Sequence, residues 1–133
     1  MAHFAKIEDG IVTEVNVIHN DIVDPEGSGT DNEQLGKDFI ASLNLEGTWI
    51  QTSYNGSFRK QYGQVGFSYD SSADEFVSTS PYASWTLDGS NDWQPPIAKP
   101  TDDAGEGKIW EWDEEVYQND TNDPKTEGWV KVP

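Results

Sequence analysis

The chain has 133 residues, 25 of them Asp or Glu against eight Lys or Arg, for a formal charge of -17. That balance argues against nucleic acid and membrane as partners, because phosphate backbones and anionic lipid surfaces repel it. The lack of Cys excludes a disulfide framework, a thiolate metal site and a cysteine nucleophile together.

Hydrophobic residues make up 34% of the chain, yet it carries six Trp, five Tyr and five Phe, so one small domain with a modest appendage must build its core from a few large rings. No run of 18 apolar residues occurs, and residues 1–6 lack the charged and apolar regions of a signal peptide. The expected product is soluble and made in a cytoplasm.

Residues 3–7 and 11–18 are extended runs rich in β-branched and aromatic side chains. Asp9-Gly10 between them is a hairpin signal, since these residues tolerate the positive φ of a tight turn. Pro25, Gly27 and Gly29 among acids mark residues 20–30 as a loop. Asp31 follows as a helix cap, with Gln34 three residues on completing the capping-box spacing. Leu35, Phe39 and Leu43 then recur at i, i+4 and i+8, which predicts a helix over about residues 32–43 with one apolar stripe on a sheet. Gly36 inside it costs about 1 kcal/mol relative to Ala, so this helix depends on tertiary packing. Residues 48–54 read as a strand around Trp49. After the Asn55-Gly56-Ser57 turn, residues 58–63 form a short strand or loop holding the only Arg-Lys pair, Arg59 and Lys60.

A unit of aromatic, spacer, apolar or aromatic residue, Asp, turn and returning aromatic then recurs three times. It reads Phe67-Ser68-Tyr69-Asp70 to Phe76, Trp85-Thr86-Leu87-Asp88 to Trp93, and Trp110-Glu111-Trp112-Asp113 to Trp129. Each copy predicts a β-hairpin with one buried face and an acidic tip. Pro81, Pro95-Pro96 and Pro100 punctuate the later copies, ending strands and stiffening the links. The expected organisation is an α+β, mostly β chain: a small antiparallel sheet with one helix over residues 1–80, then a Pro-punctuated arm of aromatic hairpins over 81–133.

Catalytic patterns are sparse. His3 and His19 fall beyond the paired ends of the first hairpin and are expected as surface or strand-end residues rather than a shared metal site. Glu114-Glu115 and Asp70/Asp74 stand on predicted turn tips, where water keeps carboxylates ionised and unsuited to general acid work. No enzymatic activity and no resident cofactor are expected. Calcium is the one cation that residues 88–92 and 119–123 suit, through clustered side-chain oxygens, although Asx-turns account for both stretches equally well. A Trp-rich surface fits subunit contact, with Trp85, Trp93, Trp110, Trp112 and Trp129 as candidate partner-binding residues. Arg59 is a candidate salt-bridge anchor, or the centre of a buried ion pair. Exposed Trp rings flanked by Asp and Asn also fit a glycan-binding module for a host surface.

His3-Phe4-Ala5-Lys6-Ile7, Trp49-Ile50-Gln51-Thr52-Ser53-Tyr54-Asn55, Phe58-Arg59-Lys60-Gln61-Tyr62-Gly63, Gly66-Phe67-Ser68-Tyr69-Asp70, Pro81-Tyr82-Ala83-Ser84-Trp85, Trp93-Gln94-Pro95-Pro96 and Trp110-Glu111-Trp112-Asp113-Glu114 follow one another along the chain. In that order they resemble a family of small virion structural proteins of marine tailed bacteriophages, especially cyanophages. Residues 116–128 depart from it by lengthening the third turn. The resemblance implies a noncatalytic virion protein made in the host cytoplasm. Its expected place is capsid decoration on the outer shell, with the major capsid protein, other virion proteins or further copies of itself as partners. The alternative placement is a tail, neck or fibre component.

Overall fold

Asp9 and Gly10 both adopt positive φ, 52° and 77°, and turn strand β1 (Ala2–Glu8) back onto β2 (Ile11–Ile18). The computed structural model describes all 133 residues and divides them into two compact units, Met1–Thr79 and Ser80–Pro133. In unit 1, β3 (Thr48–Thr52) pairs with the free side of β1 from His3↔Thr52 to Ile7↔Thr48. The first aromatic repeat forms the hairpin of β4 (Ser68–Asp70) and β5 (Glu75–Val77), which joins β2 at Ile11↔Ser68. The result is an antiparallel sheet of order β3-β1-β2-β4-β5, part of the small, mostly β, α+β fold that the sequence predicts.

One face of this sheet presents Ala2, Phe4, Ile18 and Trp49 to two helices, α1 (Asn20–Val23) and α2 (Glu33–Ser42), which contribute Val23 and Ile40. The expected loop over residues 20–30 thus begins with a helical turn. His19 Nδ1 accepts the Asp21 N–H at its start, and Val23 is fully buried at its end. The cap of α2 is Asn32 rather than Asp31, its side chain accepting the Leu35 N–H at 3.2 Å. The apolar stripe is also rotated from the predicted one: Leu35 and Leu43 are exposed, while Gly36 and Ile40 face the sheet with Phe39 packed at the margin. The reason is Phe4, whose ring lies where a Cβ on Gly36 would stand. Close approach over that ring offsets the propensity that glycine gives up.

The other face gathers Ala5 and Ile7 from β1, Val12 and Val15 from β2, Ile50 from β3, Tyr69 from β4 and Phe76 from β5. The sheet curls around this cluster, bringing its edge strands β3 and β5 near enough for Arg59 to bond both Gln51 and Phe76. Gly63, in the connection from β3 to β4, donates its N–H to Thr52 Oγ1 at 2.7 Å and leaves no room for a Cβ beneath Phe76.

Unit 2 holds two ribbons, β6 (Thr86–Leu87) with β7 (Trp93–Gln94) and β8 (Ile109–Trp112) with β9 (Trp129–Val132). The third repeat is not a tight hairpin as predicted. Helix α3 (Glu114–Asn119) interrupts it, capped by Asp113, whose side chain accepts the Val116 N–H at 3.1 Å. Trp112 and Trp129 still pair across the ribbon. Trp85, Trp112 and Trp129 form an aromatic centre with ring separations of 5.3 to 6.4 Å, flanked by Tyr82 and Tyr117.

Candidate interaction surfaces

Arg59 and Lys60 both lie in the left-handed region, at φ 54° and 72°, a pair of strained residues that folds the chain sharply back on itself. The Arg59 carbonyl accepts the Phe76 N–H of β5 at 3.1 Å, and Gln61 Nε2 donates to the Phe76 carbonyl at 2.9 Å. The Arg59 side chain runs the other way. Nη1 donates to the Gln51 carbonyl of β3 at 2.8 Å and to Glu33 at 2.5 Å, and Nε donates to Asp74 at 2.7 Å. Glu33 in turn accepts the Gln51 N–H at 2.6 Å. One residue therefore links the two outer strands of the curled sheet, and the outward peptide groups of Gln51 and Phe76 are both satisfied.

The clasp is half-buried, with the Arg59 and Glu33 side chains 18% and 28% exposed. Burial alone would raise Glu33, but the Arg59 guanidinium and the Gln51 N–H outweigh it and hold this carboxyl below its usual range. Asp74 is lowered by the Tyr69 hydroxyl and then by Arg59, while burial and the Asp74 carboxylate raise Tyr69. Arg59 is thus the centre of an internal ion pair, and its expected role as an anchor for an outside partner does not fit a guanidinium already engaged by two carboxylates and a carbonyl.

The five candidate Trp residues divide. Trp112 is 4% exposed and, with Trp85 and Trp129, makes the centre of unit 2, so it is not a surface residue. Trp93 stands opposite Leu87 on the β6–β7 ribbon. Trp110 lies under the Lys131 ammonium, 5.1 Å from its ring centroid, and donates its indole N–H to the Asp102 carbonyl. Trp93, Trp110 and Trp129 are half-buried. The node that sequence reasoning missed is Glu114, which accepts from Trp112 Nε1 at 2.9 Å, Ser84 Oγ at 2.6 Å and Gln118 Nε2 at 2.7 Å. Ser84 lies 30 residues away, so no local pattern announces the contact.

The acidic loops turn their oxygens inward. Asp88 accepts the N–H groups of Ser90 and Asp92, and Asp120 those of Asn122, Thr126 and Glu127. Three carbonyls at the end of α3, those of Tyr117, Gln118 and Asp120, converge on the Lys125 ammonium at 3.1, 3.2 and 2.5 Å. The two histidines serve different neighbours. His19 caps α1, whereas His3 is paired with Val17 inside the hairpin rather than beyond its end.

His3 also leads to a surface the sequence did not single out. Its ring stacks on Tyr54 at 5.4 Å and meets Tyr62 edge-on at 5.9 Å. Around this trio Met1, Val17 and Tyr54 are 67%, 50% and 75% exposed. Together they make an open aromatic and aliphatic patch at one end of unit 1, alongside Phe58. No protein-family model, curated protein or solved structure matches the chain.

Proposed function

We propose that this chain is a noncatalytic structural protein of a tailed-phage particle, carried on the outer capsid surface where it contacts major capsid subunits or further copies of itself. The observation that carries this reading is the patch around His3, with Tyr54 75% exposed in a chain of charge -17. Large rings held in water at a defined place, rimmed by polar residues, mark a surface that is covered in an assembly. The polar constellations support it from the other side. Glu33, Asp74, Glu114 and Asp120 are all held below the usual carboxylate range by donors of the fold itself, the reverse of what a general acid requires. The resemblance to phage virion proteins supplies the setting.

The test is stoichiometry against the major capsid protein in purified particles before and after tails are sheared away. A ratio near one, or a simple fraction, that stays with the heads is the expected result. About 3 to 12 copies leaving with the tails would overturn the capsid placement in favour of a tail, neck or fibre joint.

A further inference from the structure

Two depressions on unit 1 share Asp31, Gln51 and Phe58 and so form one groove. The part of about 270 Å3 is bounded by Met1 and Tyr54, and the part of about 570 Å3 by Gly29, Arg59 and Asp74. The groove follows the outer side of β3, yet the backbone there is closed to an added strand, since Gln51 gives its N–H to Glu33 and its carbonyl to Arg59. Whatever lies in it is held by side chains.

Those side chains sort into two kinds. The smaller part carries the aromatic face of Tyr54, 75% exposed, and Phe58, 40% exposed, borders both parts. Asp31 is common to both parts and Asp74 lines the second, two carboxylates against the Arg59 guanidinium in the lining, while Glu33 lies outside it and is balanced by Arg59 and Lys37. Asp74 keeps 56% of its side chain exposed while bonded to Arg59 and Tyr69, so its carboxylate still presents oxygen to the groove. Aromatic rings beside carboxylates suit a long side chain with an aliphatic stem and a cationic head, the stem lying on a ring and the head reaching a carboxylate. A net charge of -17 adds long-range attraction for the same kind of ligand, and of the occupants named above it favours a basic partner subunit over a second copy.

We infer that the groove along β3 binds an extended segment of a partner protein in which Lys or Arg alternates with apolar residues, the cations meeting Asp31 and Asp74 and the apolar side chains meeting Tyr54 and Phe58. This rests on reading unit 1 as the docking unit, and it names the chemistry of what docks.

The test uses the whole chain, 15N-labelled, titrated at 0.15 M salt with a capped hexapeptide of alternating Arg and Leu, which extended spans roughly 20 Å. Two control peptides replace Leu by Ser or Arg by Gln. The expected result is saturable shifts confined to residues around Asp31, Tyr54 and Phe58, with each control binding about tenfold more weakly or worse. Asp31→Asn and Tyr54→Ser should each weaken the Arg-Leu peptide by about tenfold. Asp9→Asn removes the same charge at the far end of the β1–β2 hairpin, where Asn also accepts positive φ, and should leave binding unchanged.

Equal weakening by Asp9→Asn, or shifts spread over the acidic loops of both units, would overturn the inference by reducing it to diffuse attraction. So would a chitin hexasaccharide that shifts Tyr54 and Asp31 where the peptide does not, or concentration-dependent shifts of those residues without peptide, which would assign the groove to a glycan or to a second copy. A protein that binds the peptide but leaves with sheared tails would keep this inference and remove the capsid placement, and head-bound protein that ignores the peptide would do the converse.

Discussion

Replacing Arg59 by Met keeps most of the aliphatic stem and removes the head that ties β3 to the β5 side of the sheet. The paired contact with Glu33, between side chains 18% and 28% exposed, lies between an exposed pair at about 0–1 kcal/mol and a broken buried one at about 3–5, and is taken as about 2 kcal/mol. The Gln51 carbonyl loses a charged donor, adding about 1 kcal/mol. Asp74 is 56% exposed, so water replaces its share at little cost. Unit 1 should therefore lose about 3 kcal/mol, a fall of roughly 12–24 °C in its thermal midpoint for a unit of this size. Urea unfolding with residue-resolved amide exchange is the assay, because Trp49 is the only Trp in unit 1 and bulk fluorescence reports mainly on unit 2. Exchange should accelerate at Gln51, whose N–H is held by Glu33, and at Phe76, whose N–H is held by the Arg59 carbonyl. A Glu33→Gln cycle should return a coupling of about 2 kcal/mol. A loss under about 1 kcal/mol, or a coupling near zero, would refute the view that this residue closes the sheet.

Acid should act through the same groups. Glu33 and Asp74 are both depressed in the folded state, so the stability they contribute is complete above their unfolded values of about 4.3 and 3.9 and is lost as pH falls through the lower folded ones. Urea midpoints should thus drop below about pH 4 in the wild type and drop less in Arg59→Met. Gly36→Ala should destabilise by about 1–3 kcal/mol through collision with the Phe4 ring, despite the better helix propensity of Ala, and by less in a Phe4→Leu background; calorimetric midpoints of the four proteins decide it. Lys125→Met leaves three carbonyls without their common donor and should cost unit 2 about 1–2 kcal/mol, read from the fluorescence of its five Trp residues during unfolding.

Elements set by neighbouring residues were legible in the sequence. Asp9-Gly10 announced its turn, and the returns from Tyr69 to Phe76 and from Leu87 to Trp93 followed the aromatic spacing, whereas the return from Trp112 to Trp129 runs through α3, which that spacing did not announce. Features decided by distant residues were not. The rotation of α2 follows from Phe4, more than 30 positions earlier in the chain than Gly36, and hydropathy at i and i+4 carries no trace of it. Arg59 meets Glu33 across 26 residues and Asp74 across 15, so the sequence could name a buried ion pair without saying which acids would complete it. The candidate Trp residues divide for a related reason. A ring that fills a small core and a ring left in water look alike in sequence, and only burial separates Trp112 from Tyr54.

The stoppered rims of the unit 1 sheet bear on how the molecule tolerates crowding. Runaway growth of β proteins starts where two bare rims meet and peptide groups zip chain to chain. Here the peptide groups at Gln51 and Phe76 are already taken by Glu33, Arg59 and Gln61. At those two positions a neighbour forced close finds no backbone group to pair with and is left to meet unit 1 through shape and charge.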